Sequence, residues 1–380
     1  MNWNEWVHKQ VEYRFGNPSR FFYPKDDLLD APKVLRTFCV FDSLHCLFKS
    51  VNGFDKIIDF DKDLSAFSRS ANAIRGKGRR QAYFANLVLD WNIKSIFYTN
   101  WCDAQGWEYD AIFPELKGLP IIQFSRRKDQ RGKVVLFPLN REFMGYGGKN
   151  IPKVIDDLDF KNKANKVVWR GRYSGTLSDW KSEIFWAESI FRDEKELTEA
   201  NYQHHLSVPR CSFVKNIFDL DFVDAGFYHN KKESDFLTSY KSKSSLVLPY
   251  LKERLSLQQQ FEAKFILALP GNDYPSSLYW SLMSNSVVFM LEHEWETALD
   301  CGLEPWVHYV PIKNTKDDLQ NKYESMMANY DQCLDIINNA HKHMELMVDP
   351  NLRDAADWLT LKKWESSVIP VHAFKKSFSR

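Results

Sequence analysis

"FILALPGNDYPSSLYWSLMSNSVVFM", residues 265–290, decides how the chain is read. An apolar run stops at Gly271-Asn272-Asp273, and a second begins at Val287. Between them stand a proline, several serines and two asparagines. The stretch reads as strand, loop, helix, strand. Gly271 lets the backbone turn sharply where the first strand ends. Pro275 suits the first turn of a helix, where its missing N–H costs nothing. Asp273, Ser276 and Ser277 are residue types that cap or line such a turn. In an open parallel sheet, ligands sit beyond the carboxyl ends of the strands. A helix starting there aims free N–H groups and a positive dipole end at the crevice, which suits a diphosphate. The same spelling also describes a well-capped connection with no ligand. Neither the Gly-rich Walker pattern nor the dinucleotide pattern is present.

The flanking sequence repeats this alternation. "RRQAYFANLVLDWN" (79–92) places Tyr83, Leu87 and Trp91 at four-residue steps, as an amphipathic helix does. "IKSIFYT" (93–99), "LPIIQFS" (119–125) and "KVVLFP" (133–138) read as strands. The glycine-rich "MGYGGKNIPK" (144–153) marks a linker. "NKVVWRG" (165–171) and "SVVFML" (286–291) are strand-like, "SDWKSEIFWAESIFRD" (178–193) is helical, and "CSFVKNIFDLDFV" (211–223) fits either. From about residue 316 the chain reads as one or two long helices. The expectation is two α/β domains with mostly parallel sheets, 1–148 and 149–349, with a C-terminal helix in 350–380 packing back onto the first.

Bulk composition agrees with two ordinary globular domains in 380 residues: 44% hydrophobic and 27% charged. The net charge of +1 points to neither a nucleic-acid partner nor an acidic tail. Aromatics reach 15%, with 13 Trp; these serve sugar faces or simply the cores. Six cysteines without a Cys-x-x-Cys pair read as reduced thiols. The opening "MNWNEWVHKQVEYRFG" lacks the apolar core of a signal peptide, and no run reaches the ~18 apolar residues of a membrane span. The expectation is a soluble, cytoplasmic protein. Any lipid-linked acceptor would be met peripherally, at the inner face of the membrane.

The segment "KFILALPGNDYPSSLYWSLMSNSVVFMLEHEWETALDCGLEPWVHYVPIK" (264–313) resembles the signature region of glycosyltransferase family 90. The matching pieces are the strand ending in Gly271-Asn272-Asp273, "SNSVV" (284–288), Glu294-Trp295 and "GLEPWVHYVPIK" (302–313). "VVWRGRYSGT" (167–176) resembles the family's Arg-Gly donor loop, and "VDAGFY" (223–228) the segment after it. "IFYTNWCDA" (96–104) and "LPIIQFSRRKDQRGKVVLFP" (119–138) match more loosely. The spelling leans toward the bacterial, lipopolysaccharide-modifying branch.

The resemblance implies a GT-B fold, two Rossmann-like domains facing a cleft. It implies an inverting, metal-independent hexosyl- or pentosyltransferase with no cofactor. The donor is a UDP-sugar and the acceptor a glycan or lipid-linked glycan, in lipopolysaccharide or surface polysaccharide synthesis. A protein acceptor, or a degenerate binder of nucleotide sugar or glycan, are the alternatives. An inverting transfer needs a base for the acceptor hydroxyl, positive charge for the leaving diphosphate, and both reactants held in line. The family's base matches Asp103, with Asp110 as second choice. On the donor side the resemblance points to Arg170, Gly171, Arg172, Gly271, Asn272, Asp273, Ser276, Ser277, Asn285 and Glu294. Relatives carry an Arg where this chain has Ser178, so Arg172 or Lys181 would substitute. They also carry a cation near Tyr279.

Other signals are weaker. "DFDKD" (59–63) lacks the glycine and the glutamate of a calcium loop. Asp219-Leu220-Asp221 is the spelling of a metal-binding Asp-x-Asp, against the trend of the surrounding match. His341 and His343 do not share a helix face. "RGKGRR" (75–80) is either a solvated helix start or a contact for anionic headgroups.

Overall fold

The structure is a computed structural model, described here for residues 2–16, 38–43, 47–50, 77–101, 120–138, 155–175, 206–228 and 248–368. In chain order it begins with α1 (Trp3–Phe15), β1 (Phe38–Asp42), β2 (Leu47–Ser50), α2 (Lys77–Asp90), β3 (Ile96–Asn100), β4 (Ile121–Gln123), β5 (Ser125–Arg127) and β6 (Val134–Leu136). Next come β7 (Ala164–Gly171), α3 (Pro209–Ile217), β8 (Val223–Phe227), α4 (Leu257–Phe261), β9 (Ala263–Ala268), α5 (Leu278–Ser281) and β10 (Val287–Leu291). The remainder is β11 (Trp295–Thr297), β12 (Val310–Ile312), α6 (Lys316–Ala328), α7 (Tyr330–Val348) and α8 (Pro350–Ser367).

These elements fall into two compact units. The first is Met1–Ile151 with Trp295–Cys301 and Met347–Arg380; the second is Pro152–Glu294 with Gly302–Leu346. The short insertion 295–301, which belongs to the first unit, has no counterpart among the sequence expectations.

The first unit is built on a five-stranded sheet ordered β2-β1-β3-β4-β6. β3, β4 and β6 are parallel, but β1 runs antiparallel to both β2 and β3, so this sheet is mixed rather than mostly parallel. Its core draws Val11 and Phe15 from α1, Phe84 and Val88 from α2, and Leu361 and Trp364 from α8. Phe84 meets Phe97 and Phe137 edge-on at 5.3 and 5.2 Å, and Phe97 stacks on Trp364 at 5.8 Å. The helical periodicity of 79–92 is realised in α2. Phe84, Ala85 and Val88 point fully inward, while Tyr83, Leu87 and Trp91 form the half-buried flank.

The second unit carries a wholly parallel sheet ordered β12-β10-β9-β7-β8. Its strands are near-continuous apolar runs because both faces are covered. One face packs on α3, α6 and α7 through residues such as Phe213, Leu319 and Ile336. The other packs Val168 and Ile266 against Phe261 and Trp280. From β7 the chain passes to β8 on one side and then returns to β9 on the other. The winding therefore reverses between β7 and β9, which is where doubly wound sheets open a crevice at their carboxyl ends.

Candidate functional site

The residue that occupies this reversal is Arg210, which the sequence reading did not select. It lies in the first turn of α3, just after Pro209. Its Nη1 donates to Ser174 Oγ at 2.7 Å and to the Arg172 carbonyl at 3.3 Å, in the loop after β7. Its Nη2 donates to the Leu269 carbonyl at 2.8 Å, in the loop after β9. The guanidinium also lies 5.4 Å from the Trp169 ring centroid. Both loops must approach closely for this. A Cβ added at Gly271 would sit 2.7 Å from Arg210 Nη2, and one at Gly175 would sit 3.5 Å from the Gly271 carbonyl oxygen. Gly175 has φ +149°, outside the range favoured by side-chain-bearing residues. The sequence did contain a signal. A cation in a helix's first turn opposes the dipole, so it calls for a nearby anion or carbonyls to balance it. The N-cap Val208 has no capping side chain either.

The other donor-side residues sort by position. Gly171 ends β7, and its bare α-carbon is needed because a Cβ there would lie 2.2 Å from the Trp169 ring. Arg172 follows it and is exposed. Arg170 does not fit the role of phosphate cation. Its Nη2 and Nη1 donate to the carboxylate and carbonyl of Asp224, and its Nε to the Glu253 carbonyl. Asp224 also receives Lys252 Nζ at 2.6 Å. Burial works against the Asp224 charge, yet hydrogen bonds from Lys252 and Arg170 hold its carboxyl below the usual range. Arg170 is thus a strut between β7 and β8.

After β9, Gly271 and Asn272 are half-buried, and Asp273 and Tyr274 are buried. The expected helix is short: α5 has 4 residues, and its N-cap Ser277 makes no side-chain cap bond. Four residues align too few peptide dipoles for the strong anion site read from the sequence. The Pro275 carbonyl accepts from Leu278 N instead, closing a turn, with Ser276 exposed. Tyr274 packs edge-on against Tyr279 and against His293, which follows β10. Glu294 is exposed, three residues beyond β10.

Asn285 is corrected. It precedes β10 and therefore lies at the amino end of the sheet, away from the reversal. Its backbone N–H donates to Asp156 Oδ2 and its amide to the Asp156 carbonyl, at 2.7 and 2.8 Å. It braces the segment before β7.

Asp103, Asp110, Ser178 and Lys181 lie outside the described residues, as does "DFDKD". From the basic cluster, Arg80 is described: its Nη1 donates to the Trp101 carbonyl, and its guanidinium lies 4.8 Å from the Phe124 ring centroid. Asp219 is ion-paired to Lys316 at 2.6 Å. His341 meets the Ser284 carbonyl at 2.9 Å, and His343 packs against His308. Cys211, Cys301 and Cys333 are buried free thiols. Among the described residues, no three His, Cys, Asp or Glu side chains gather as metal ligands, and no helix is long and apolar enough to cross a membrane.

Comparison with known proteins supplies the context. The family model described as "Glycosyl transferase family 90" matches residues 120–351. The O-glucosyltransferase LpsA of Dichelobacter nodosus is 26% identical over 216 residues, 57% of this chain and 54% of that protein. Uncharacterized protein 035R of Invertebrate iridescent virus 3 is 32% identical over 99 residues, 26% of this chain and 9% of that protein. The chain thus spans about half the length of the first of these relatives. Among solved structures, a glycosyltransferase from Rickettsia africae ESF-5 aligns with TM-score 0.34 at 11% identity, over 67% of this chain and 65% of that one. Anabaena Alr3699/HepE in complex with UDP and glucose aligns with TM-score 0.30 at 13% identity, over 55% and 49%. With well over half its length matched by the family model, spanning β4 through α7 and the reversal at Arg210, the chain belongs to glycosyltransferase family 90.

Proposed function

We propose that the protein is an inverting glycosyltransferase that moves a sugar from a UDP-sugar to a hydroxyl of a glycan acceptor. The observation that carries this reading is Arg210, a cation bonded to the loops after both β7 and β9 at the point where the sheet's winding reverses. A leaving diphosphate needs stabilising charge there, in a site that is already organised. Arg210, the start of α3 and the backbone beside Gly171 and Gly271 take that part; Arg172, Asn272, Asp273 and Ser276 line the same end, and Ser277 follows. Glu294, past β10, is assigned to the ribose or the transferred sugar. In this proposal these groups carry the diphosphate charge without a metal.

Asp103 is assigned as base. It takes the acceptor hydroxyl's proton as that oxygen attacks the anomeric carbon. The bond from that carbon to the diphosphate oxygen breaks on the opposite face, and UDP departs with the electron pair. Such base action is worth roughly 10²–10⁴-fold. A lipopolysaccharide or related surface glycan is the proposed acceptor class, supported by the bacterial-type motifs. The relative named an O-glucosyltransferase makes glucose the first sugar to try. The test is UDP production from UDP-glucose, UDP-galactose and UDP-xylose, with calorimetry of UDP binding. Asp103→Asn should bind UDP normally and lose at least about a hundredfold in turnover. A protein that binds no uridine nucleotide sinks the reading, and near-normal turnover by the Asn variant removes Asp103 from it.

A further inference from the structure

Where α1 and α8 of the first unit meet, the buried charges do not cancel. Arg14 of α1 and Arg353 and Asp357 of α8 are all buried, Arg353 at 7% exposure. Arg14 Nη1 donates to Asp357 Oδ1 at 2.7 Å and to Thr360 Oγ1 at 3.2 Å. Arg14 Nε finds no acceptor among the described residues, and neither do Nε and Nη1 of Arg353. The Nη2 of Arg353 lies 3.9 Å from Asp354 Oδ1, a mostly exposed carboxylate. That separation is too long for a hydrogen bond, and water screens the pair.

Two guanidiniums thus share one buried carboxylate. A buried lysine escapes such a conflict by shedding its proton; arginine does not. An uncompensated buried charge is among the costliest features of a fold. Asp357 does not neutralise both partners, because burial pushes its carboxyl up to about 6 against the pull of Arg14 and Arg353. The backbone adds to the excess. Arg353 lies near the start of α8, an 18-residue helix whose N-terminal dipole end is positive. The Asp349 carboxylate at that end is already engaged by the N–H groups of Asn351 and Leu352. Tyr83 of α2 borders the same cluster. Burial and then the Asp357 charge push its hydroxyl up, so it remains a neutral donor. A water molecule would meet these donors but not the charge.

We propose that Arg353 and Arg14 form a buried site for one small monovalent anion of chloride's size, held at the Nε–Nη1 edge of Arg353 among α1, α2 and α8. The burial of both guanidiniums matches a compact ion rather than a polymeric acceptor. All of these residues belong to the first unit, so the site stands or falls separately from the donor reading. The test is thermal melting of the full chain as sodium gluconate is exchanged for sodium chloride at constant sodium concentration. The wild type should gain about 3–6 °C, along a saturating curve, once chloride reaches about ten times its dissociation constant. Arg353→Met keeps much of the side-chain volume without the charge and should lose that gain. Wild-type crystals soaked in bromide decide the matter without any variant: an anomalous peak should lie beside Arg353 Nε. No gain with chloride, an equal gain in Arg353→Met, or bromide peaks confined to the surface would each overturn the inference.

Discussion

Gly271→Ala perturbs the proposed diphosphate site without altering any charge. Gly271 is not among the residues with positive φ, so alanine accepts its backbone. The new methyl would lie 2.7 Å from Arg210 Nη2, 3.1 Å from Cζ and 3.2 Å from Nη1. Non-bonded heavy atoms settle near ~3.5 Å, so the guanidinium must retreat by roughly 0.8 Å. That movement strains the 2.8 Å bond to the Leu269 carbonyl and the 2.7 Å bond to Ser174. The clash falls on the far end of a flexible side chain, so folding should adapt within about 1 kcal/mol. A diphosphate bound through that guanidinium should lose about 1.5–3 kcal/mol, the worth of a hydrogen bond to a charged group. The UDP dissociation constant then rises roughly 10- to 150-fold. Calorimetry on wild type, Gly271→Ala, Arg210→Ala and the double variant decides the matter. Because the methyl acts through Arg210, the double variant should bind as Arg210→Ala does. Unchanged affinity in Gly271→Ala, or losses that add, would refute the assignment of Arg210.

Two further predictions concern stability. Gly171→Ala drives a methyl into the Trp169 ring, which is buried in the core, and should cost about 1–3 kcal/mol in urea unfolding; a neutral result would mean that the ring moves freely. Asp357, buried against Arg14 at 2.7 Å, is pushed up to about 6 by burial, which outweighs the Arg14 charge. Its folded value lies above the ~3.9 of an unfolded chain, so between those values the folded state holds a proton that the unfolded state has released. Relative to Asp357→Asn, the wild type should therefore gain up to about 3 kcal/mol as the pH falls from 7.5 to 4. Parallel unfolding curves for the two proteins across that range would disprove it.

Strands were legible wherever a run was apolar on both faces. β7 and β10 follow from "NKVVWRG" and "SVVFML" to within a residue, and β9 ends inside the apolar run that opens "FILALPG", because a doubly covered sheet imposes that composition. α3 and β8 were not separable in "CSFVKNIFDLDFV", where the last seven residues of the helix run through a short turn into the first residue of the strand and both periods overlap. Asn285 misled because adjacency in sequence was taken for adjacency in space. A parallel crossover returns the chain to the amino end before each new strand, so residues just ahead of β10 lie at the far end from those just behind β9. Arg210 escaped because a long stretch of chain separates it from Gly171, and only the tertiary winding joins them. Glu296 and Arg126 lie 170 positions apart, and no local pattern announces a buried ion pair.

The division of the chain also bears on how it is made. The backbone passes between the two units at 151/152, 294/295, 301/302 and 346/347. The core of the first unit needs Trp364, which stacks on Phe97 and donates to the Ile96 carbonyl, and its buried Arg126 needs Glu296. When synthesis has reached Ile151, Phe97 still lacks the Trp364 it stacks on and Arg126 the Glu296 it pairs with. The second unit can complete its own sheet once β12 has emerged, before α8 exists. The half made first is thus the half completed last, because its core waits for α8 and its buried arginine for Glu296.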